Sequence, residues 1–434
     1  MSNAKSIKRS MKKCINEIAS TSELYCKNPK ADFTRNRKLT FSDTMKAILC
    51  FSGKSLNKEM IEIFGCSGDI ASVSAFVQQR SKIKVTAFDE LFHKFTDNHV
   101  KTNLYKGYRL LAVDGSDIST PDFDNCTNDN LTNLYHLNAL YDLCSNAYTD
   151  ALVQGRLERN EHKALIQMAK RNLYSVPTIF IADRGYESLN NMAHIQELGQ
   201  YFIIRLKDIN SNGIAKGFNL SNYGVSFDVP FNLNLTRKQT NAVKGLCEMN
   251  NFKFVPHTST FDFLPKTSKK SDPLVFFNLK FRLVRFEVSE GKYELLATNL
   301  DVSQFPIEKL KELYAMRWGI ETSFRHLKYS LALNNFHSKK SEGILQEIFA
   351  KLTMYNFTQM IISHIIISNA KRKHLYKINF SVAVHTCRNL LLGSYSPNNI
   401  EAVIKRHILP VRLDFHKPRN PIPKACVSFS YRLA

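Results

Sequence analysis

The sequence contains cysteines and histidines but lacks the spacings that would make them a structural framework or a metal site. Its nine cysteines are scattered over 434 residues and include no C-x-x-C pair. This pattern favours neither a zinc ribbon nor a disulfide framework, and we expect reduced thiols in a cytoplasmic protein. The 13 histidines include no H-x3-H or H-E-x-x-H arrangement. A zinc hydrolase is therefore not indicated.

Long apolar runs are also missing. The first residues, Met-Ser-Asn-Ala-Lys-Ser-Ile-Lys, are basic but lack the apolar stretch of a signal peptide. The most apolar window, 352–367, is interrupted by Thr353, Asn356, Gln359 and His364. We interpret this window as a buried helix, and we expect no membrane partner.

Acidic residues are scarce relative to basic ones. The chain has 38 Asp+Glu against 60 Lys+Arg, a formal net charge of +22. Residues 1–105 hold 18 basic and 10 acidic residues, and residues 371–434 hold 12 and 2. Basic ends around a nearly neutral centre are typical of a catalytic core with DNA-binding regions on both sides. Charge alone also fits a merely soluble basic protein.

The order of predicted elements divides the chain. Residues 1–100 have helical periodicity with polar turns, a pattern that fits a helix-turn-helix and many other small helical domains. Apolar strands follow at 108–113, 134–143 and 148–154, then a helix at 160–172 and a strand at 178–182. A helix at 187–198 and a strand at 201–206 complete this region. The order predicts an α/β fold, a ribonuclease H-like mixed five-stranded sheet with flanking helices.

The remaining chain predicts further regions. Residues 207–300 indicate a β-rich insertion that does not continue the central sheet, and helices resume at Pro306 and persist to about 393. The last 40 residues are basic, contain five prolines and favour an irregular tail. We therefore predict a helical DNA-binding domain at 1–104, a catalytic core at 105–206 and 301–340, the insertion at 207–300, and a helical and basic C-terminal region at 341–434.

Two apolar strands are predicted to end on an aspartate. One is followed by Asp114-Gly115-Ser116 and the other by Asp183-Arg184-Gly185-Tyr186. Strand ends are where α/β sheets expose functional groups, because a rigid backbone carries the side chain out of the core. An aspartate after an apolar run can also be a turn former or a helix cap.

The predicted helix at 314–328 presents one polar face. Tyr314, Arg317, Glu321 and Lys328 lie at offsets of 0, 3, 7 and 14 residues. On a regular helix they fall within a sector of roughly 60°. A solvated salt-bridge face is the simpler interpretation, but apolar residues on several sides of the helix indicate burial. A carboxylate flanked by an aromatic hydroxyl and two cations suits the binding of phosphates.

Three carboxylates in one partly buried place would repel one another unless a cation neutralised them. Oxygen ligands suit Mg²⁺ or Mn²⁺, and two such ions can activate a nucleophile and stabilise the leaving oxygen at a phosphodiester.

The spacing Tyr314-x2-Arg317-x3-Glu321-x6-Lys328 resembles the Y-R-E-K signature of the insertion-sequence type-four (IS-four) group of DDE transposases. The segments around Asp114 and Asp183 are similar to that group's two acidic motifs, in the same order. The β-rich stretch before the glutamate is also similar. The resemblance covers residues 105–340 well and the two ends only in general character.

The resemblance implies a set of functional expectations. Asp114, Asp183 and Glu321 would be the catalytic residues and the ligands of two Mg²⁺ or Mn²⁺ ions, and Tyr314, Arg317 and Lys328 would contact DNA phosphates. The protein would bind the terminal inverted repeats of a mobile element as double-stranded DNA, cleave the ends by hydrolysis and join the 3′ ends to target DNA by transesterification. It would act as a homodimer in a synaptic complex, in the nucleoid-associated cytoplasm of a bacterium.

Three questions stay open at the level of the sequence. Some members of the group form a DNA hairpin with an aromatic residue of the insertion, but the only tryptophan, Trp318, lies on the signature helix. A different ribonuclease H-like nuclease, such as a junction resolvase or a defence nuclease, would use the same metals without the Tyr-Arg-Glu-Lys face. A non-catalytic DNA-binding protein derived from a transposase is a further alternative, and the intact acidic triad argues against it.

Overall fold

We analysed the protein as a computed structural model. The structure describes residues 3–411 except 36, 67–68, 100–102, 122–131, 173–174, 219, 221–223, 242, 244, 246–251, 267–271 and 369–373.

The N-terminal region is helical, as predicted. Its helices are α1 (Asn3–Ser20), α2 (Ser22–Tyr25), α3 (Phe41–Leu49), α4 (Leu56–Phe64), α5 (Val73–Arg80) and α6 (Thr86–His99). Helix α1 is amphipathic, with Ile7, Met11 and Ile15 buried at helical spacing. Helix α3 begins with a capping box. The Thr40 hydroxyl accepts a hydrogen bond from the backbone N–H of Asp43, and the Asp43 carboxylate accepts one from the backbone N–H of Thr40.

One mixed sheet of nine strands forms the centre of the described structure. Its strands are β1 (Arg109–Pro121), β2 (Thr132–Asp142), β3 (Ala147–Gly155), β4 (Thr178–Ala182), β5 (Tyr201–Leu206), β6 (Phe227–Thr236), β7 (Phe252–Phe254), β8 (Phe277–Ser289) and β9 (Lys292–Thr298). They lie in the order β3-β2-β1-β4-β5-β9-β8-β6-β7. Strands β1, β4 and β5 are mutually parallel, whereas β2 is antiparallel to both β1 and β3.

Two helices cross between the parallel strands, α7 (Glu161–Arg171) and α8 (Leu189–Glu197). Their apolar sides join Val113, Phe180 and Ile204 in one hydrophobic core. Alternate residues of the same strands, such as Ala112 and Ile181, belong to a second core on the opposite face of the sheet. This alternation explains the uninterrupted apolar runs, because a strand covered on both faces has no polar side. The predicted α/β class and mixed sheet are confirmed.

The sheet is larger than the five strands predicted, and the prediction that the insertion does not continue it was wrong. Strand β9 pairs antiparallel with β5 and carries β8, β6 and β7 after it. Without β9, the apolar strand β5 would present an unpaired edge of backbone N–H and C=O groups. The insertion therefore covers that edge with its own strands.

The C-terminal region begins with α9 (Ile307–Met316) and α10 (Trp318–Arg325) and contains α11 (Ser341–Ile362), α12 (Phe380–Leu392), α13 (Ile400–Arg406) and the strand pair β10 (Tyr376–Ile378) and β11 (Ile408–Pro410). Helix α11 is buried along most of its length and packs against α1, α3, α6 and α12. The N-terminal helices, α11 and one face of the sheet therefore share a single hydrophobic core.

Part of the predicted irregular tail is ordered into elements. Residues 395–411 contain α13, anchored by the buried Ile400 and Ile404 one helical turn apart, and β11. The rest of the predicted tail, 412–434, lies outside the described residues.

Candidate active site

Two aspartates occupy equivalent positions on neighbouring parallel strands. The pairing of β1 with β4 ends at Val113 opposite Ala182, and the next residues along each chain are Asp114 and Asp183. Asp183 directly follows β4, as predicted. The prediction that Asp114 ends its strand was wrong, because β1 continues to Pro121 paired with β2. At Asp114, β1 loses only its partner β4, and this loss opens the space beside the carboxylate.

Backbone amides orient both carboxylates. Oδ1 of Asp114 accepts a hydrogen bond of 2.8 Å from the N–H of Gly115. Oδ1 of Asp183 accepts one of 2.8 Å from the N–H of Gly185, in the short 3₁₀ turn that follows β4. Each aspartate thus keeps its second oxygen for another partner.

Helix α10 brings Glu321 to the same place. Tyr148 of β3 bonds to Ser323 of this helix at 2.6 Å between the two hydroxyl oxygens, which fixes α10 against the sheet. The guanidinium of Arg317 lies 2.7 Å from Oε1 of Glu321 and 3.9 Å from Oδ2 of Asp114. One arginine therefore links the carboxylate of the helix to the carboxylate of the strand.

The pKa of Asp114 is raised by its burial and by the neighbouring carboxylates. Burial raises it most, and the charges of Asp183 and Glu321 add to the rise, against the opposing effects of the Gly115 amide and Arg317. The result is a pKa of about 7. The site accumulates more negative charge than Arg317 neutralises, which is the condition under which a cation binds well.

Within the described ranges, no group of three or more His, Cys, Asp or Glu side chains is arranged to hold a metal ion. Arg317 lies between Asp114 and Glu321, so these carboxylates converge on a guanidinium. The donor set itself fits Mg²⁺ or Mn²⁺, because it consists of hard carboxylate oxygens and carries uncompensated negative charge. The assignment of Asp114, Asp183 and Glu321 as metal ligands stays a prediction.

The predicted helix at 314–328 is not one regular helix. Helix α9 ends at Met316, α10 covers Trp318–Arg325, and a π-helical turn covers His326–Ser330. A π turn takes more residues than an α turn, so Lys328 is rotated away from the position that regular spacing gives it. Lys328 is half-buried, and the charge that acts on it is Asp117 of β1.

Tyr314 and Arg317 remain together on the signature segment. Both are buried, and the guanidinium lies 5.7 Å from the ring centre of Tyr314 and 5.3 Å from that of Trp318. Within the part of the chain that the structure describes, the Tyr314 hydroxyl and Nε of Arg317 form no hydrogen bond of normal geometry. Trp318 is 55% exposed beside them. These groups retain hydrogen-bonding capacity at the edge of the acidic site.

Sequence reasoning missed an ionic cluster formed by Asp117, His136, Arg159 and Glu161. Nδ1 of His136 lies 2.6 Å from Asp117, and its Nε2 lies 3.0 Å from Glu161. Arg159 contacts both carboxylates, at 3.1 and 3.0 Å. His136 and Arg159 together lower the pKa of Glu161 to about 2. The available signal was weak, since only the register of β1 and β2 places His136 opposite Asp117.

Residues 105–357 match the family model described as the Transposase DDE domain. The chain belongs to this DDE transposase family. The matched DDE transposase segment contains strands β1–β9 and the residues Asp114, Asp183 and Glu321, and the N-terminal helices lie outside it. The resemblance to DDE insertion-sequence transposases is thereby confirmed, and the IS-four group is consistent with it.

A relative of this DDE transposase chain is "Transposase for insertion sequence element IS231E" of Bacillus thuringiensis subsp. finitimus, 24% identical over 212 residues. The aligned part covers 42% of this chain and 42% of the relative, so it spans under half of either protein. A solved structure of a piggyBac transposase synaptic complex with hairpin DNA aligns over 95% of this chain and 84% of that one, at 11% identity and a TM-score of 0.43. A TM-score this low does not establish a shared fold.

Among the described helices of the DDE transposase chain, none combines the length and the apolar character needed to cross a membrane.

Proposed function

We propose that this protein is an insertion-sequence transposase that cleaves the ends of its mobile element and joins the 3′ ends to target DNA. The observation that carries the proposal is that the charges of Asp183 and Glu321, from separate parts of the chain, both act on the buried carboxyl group of Asp114 and raise its pKa. Asp114 and Asp183 follow the last paired residues of two parallel strands, and Glu321 reaches Asp114 through their shared partner Arg317. The raised pKa of Asp114 supports a cation site at this point.

The arrangement of the sheet supports a ribonuclease H-like core. Strands β3, β2, β1, β4 and β5 are adjacent in that order, with β2 antiparallel and the crossover helices α7 and α8 between the parallel strands. The four strands from the insertion extend this unit at the edge of β5. The proposed catalytic core is the five-stranded part.

Asp114, Asp183 and Glu321 would hold two Mg²⁺ or Mn²⁺ ions. When bound, such ions supply activation of a water or a 3′-hydroxyl and stabilisation of the leaving oxygen at the phosphodiester. The backbone amides of Gly115 and Gly185 hold one oxygen of each aspartate, so the second oxygens face the site. Burial beside Leu111, Val113 and Ala182 keeps the two aspartates rigid.

Arg317, Tyr314 and Lys328 would bind phosphates of the element end. The planar guanidinium of Arg317 can grip two phosphate oxygens, and Lys328 supplies a point charge. Burial lowers the pKa of Lys328, so a nearby phosphate would stabilise its protonated form.

The partners in this proposal are the terminal inverted repeats, as double-stranded DNA, and the target DNA. The helical region 1–104 would contribute to binding the repeats, and a homodimer would hold two ends together. Action on chromosomal DNA places the protein at the nucleoid of the bacterial cytoplasm.

The substitution Glu321→Gln tests the proposal, because it keeps the size of the side chain and removes its charge. We expect cleavage of an inverted-repeat substrate with Mg²⁺ to fall at least about 1,000-fold, while binding of the same DNA changes less than about twofold. Glu312→Gln on α9 is the matched control, because Glu312 is exposed and forms a surface ion pair with Lys309. Cleavage that persists in Glu321→Gln contradicts the site assignment.

A strand-transfer assay separates this function from its nearest alternative. A transposase joins the cleaved 3′ end to a second DNA molecule, whereas a junction resolvase or a defence nuclease cuts without joining. A non-catalytic descendant would bind the repeats and do neither. Joined products that depend on Glu321 would support the proposal.

A further inference from the structure

Two adjoining grooves open beside the turn that carries Asp183. The smaller, of about 550 Å³, is lined by Arg184 and Gly185 of that turn and by Lys207. The larger, of about 790 Å³, lies between helices α7 and α8 and the insertion around Phe254. They share the side chains of His162 and Glu187. Together they form one path, which we call the lysine groove, from the second aspartate towards the insertion.

The two carboxylates in the wall of the lysine groove are already engaged. Glu187 accepts hydrogen bonds from the backbone N–H groups of Lys207 at 2.8 Å and Ile214 at 2.5 Å. Asp262 accepts from Asn190 at 3.0 Å and lies 2.7 Å from Nε2 of His194. Both carboxylates keep their negative charge, and each acts on one lysine of the groove: Glu187 on Lys253 and Asp262 on Lys170.

The cations of the lysine groove come from four separate elements. Lys163 and Lys170 lie two turns apart on α7 and are exposed, Arg184 follows β4, Lys207 follows β5, and Lys253 lies on β7. Within the described part of the chain, no carboxylate forms an ion pair with Lys163, Lys170 or Arg184. The lining of the groove therefore has more basic than acidic side chains, and its net charge is positive.

The ammonium group of Lys253 is largely buried in the wall of the groove, and this burial disfavours its charged form. Its ammonium donates to the carbonyl of Ile214 at 3.0 Å and lies 4.3 Å from the ring centre of Phe218. Burial lowers the pKa of Lys253 to about 8. A phosphate beside it would favour the charged form further.

We propose that the lysine groove binds a single DNA strand that leaves the acidic site past Asp183. The two grooves are small, of about 790 and 550 Å³, and they combine spaced cations with the half-buried ring of Phe254, on which a base can stack. The inference rests on the proposed function, since it takes Asp183 as part of the DNA-cleaving site. It adds a path for a strand that the acidic site alone does not provide.

Two DNA probes test this assignment without any chemistry. One is a blunt inverted-repeat duplex, and the other is the same duplex with a single-stranded extension of about twelve nucleotides, both measured by fluorescence anisotropy in EDTA. We expect the wild-type protein to bind the extended probe about tenfold more tightly. The double substitution Lys163→Ala with Lys170→Ala should remove that preference, and the salt dependence of binding to the extended probe should fall by about 1.4 in slope.

Lys309→Ala with Lys311→Ala is the matched control, because it removes the same charge from exposed lysines that face Glu312 and Glu308 on α9. It should keep the preference for the extended probe. Lys163→Gln with Lys170→Gln repeats the test if the alanine variant has a lower melting temperature than the wild type.

Two results overturn the proposal. One is equal binding of the two probes by the wild-type protein, and the other is a groove variant that keeps its preference. In the second case, an equal loss for both probes would assign these lysines to the duplex. Because binding is measured in EDTA, these outcomes do not depend on Glu321. Failure of the strand path and failure of the cleavage proposal are therefore distinguishable.

Discussion

Gly115 lies next to Asp114 and pairs with Asn138 across β1 and β2. A Cβ atom built at Gly115 would overlap the imidazole of His136. The glycine thus lets the ionic cluster of Asp117, His136 and Glu161 approach the strand that carries Asp114. The absence of a side chain here is a packing requirement.

Replacing Gly115 with alanine should displace His136 from its two carboxylate partners. We expect a loss of about 1–3 kcal/mol in the free energy of unfolding, measured by urea denaturation, because an added methyl group in a packed site forces its neighbours to move. Gly155→Ala is the matched control, since a Cβ there meets no atom within 4 Å. Equal stability of the two variants would contradict the packing role of Gly115.

The sequence predicted some residues of the candidate site together with their structural setting, others as residues only, and some not at all. Asp183 was identified in its place because the apolar run of β4 ends directly before it. Asp114 was identified as a residue, but its setting was not, because the chain continues as a strand and only the neighbour β4 ends. His136 could not be assigned, since its proximity to Asp117 depends on a register that no local pattern encodes.

Helical periodicity predicted that Tyr314, Arg317 and Glu321 would lie together, but it could not predict the interruptions of their helix. The helix is interrupted between α9 and α10, and α10 is followed by a π-helical turn. The π-helical turn packs against α12, where Phe380 contacts His326. The position predicted from a regular rotation of 100° per residue is therefore wrong for Lys328, which lies in the π-helical turn.

A buried ionic network joins the N-terminal helices to α11. Glu347 of α11 lies 2.8 Å from Arg80 of α5 and 3.1 Å from Nδ1 of His337, whose Nε2 lies 3.6 Å from Glu59 of α4. Lys351 completes the network and donates to the carbonyl of Phe51 at 2.7 Å. Removing one partner of such a network leaves an uncompensated buried charge, so these helices are held together as one unit.

The network should make stability depend on pH. Burial lowers the pKa of His337, but Glu347 and Glu59 outweigh it and raise the pKa to about 9, above its ordinary value of 6.5. The folded state therefore holds this proton more tightly, and its contribution is complete below pH 6.5 and lost as the pH rises through about 9. We expect the free energy of unfolding to fall on the order of 2 kcal/mol across this window.

Urea denaturation at a series of pH values, compared between the wild type and His337→Gln, measures this effect. The difference between the two proteins should shrink towards pH 9. Comparing them removes the contribution of Lys351, whose pKa burial lowers and which titrates in the opposite sense. His326→Gln is the control, because the pKa of His326 is lowered to about 4 and this side chain is neutral throughout. A constant difference across the window would contradict the assigned role.

At the scale of the whole molecule, part of the excess of basic residues lies on helix α1. Helix α1 turns Ile7, Met11, Cys14, Ile15 and Ile18 inward, and its exposed or half-exposed side carries Lys5, Lys8, Arg9, Lys12 and Lys13. Burial lowers the pKa of Lys8, and repulsion from Lys12 and from Lys46 of α3 lowers it further. Helix α1 thus presents five basic residues on a surface that faces away from the shared core.

This surface should bind the DNA backbone without regard to sequence. We expect Arg9→Ala with Lys12→Ala to weaken binding of an inverted-repeat duplex about tenfold at low salt and to weaken binding of unrelated duplexes equally. The plot of log affinity against log salt concentration should become shallower by about 1.8, because each phosphate contact releases condensed counterions. Fluorescence anisotropy between about 50 and 200 mM salt measures both quantities.

The control for this surface is again Lys309→Ala with Lys311→Ala, where the lysines face carboxylates and add little to the long-range field. Its slope should equal that of the wild type. If the α1 variant instead lost affinity for the inverted repeat alone, the helix would be reading bases. If its slope were unchanged, the DNA would lie elsewhere, and the C-terminal basic residues would become the next surface to test. An equal loss of affinity for the inverted repeat and for unrelated duplexes, with a smaller salt dependence, is the result that assigns α1 to phosphate binding.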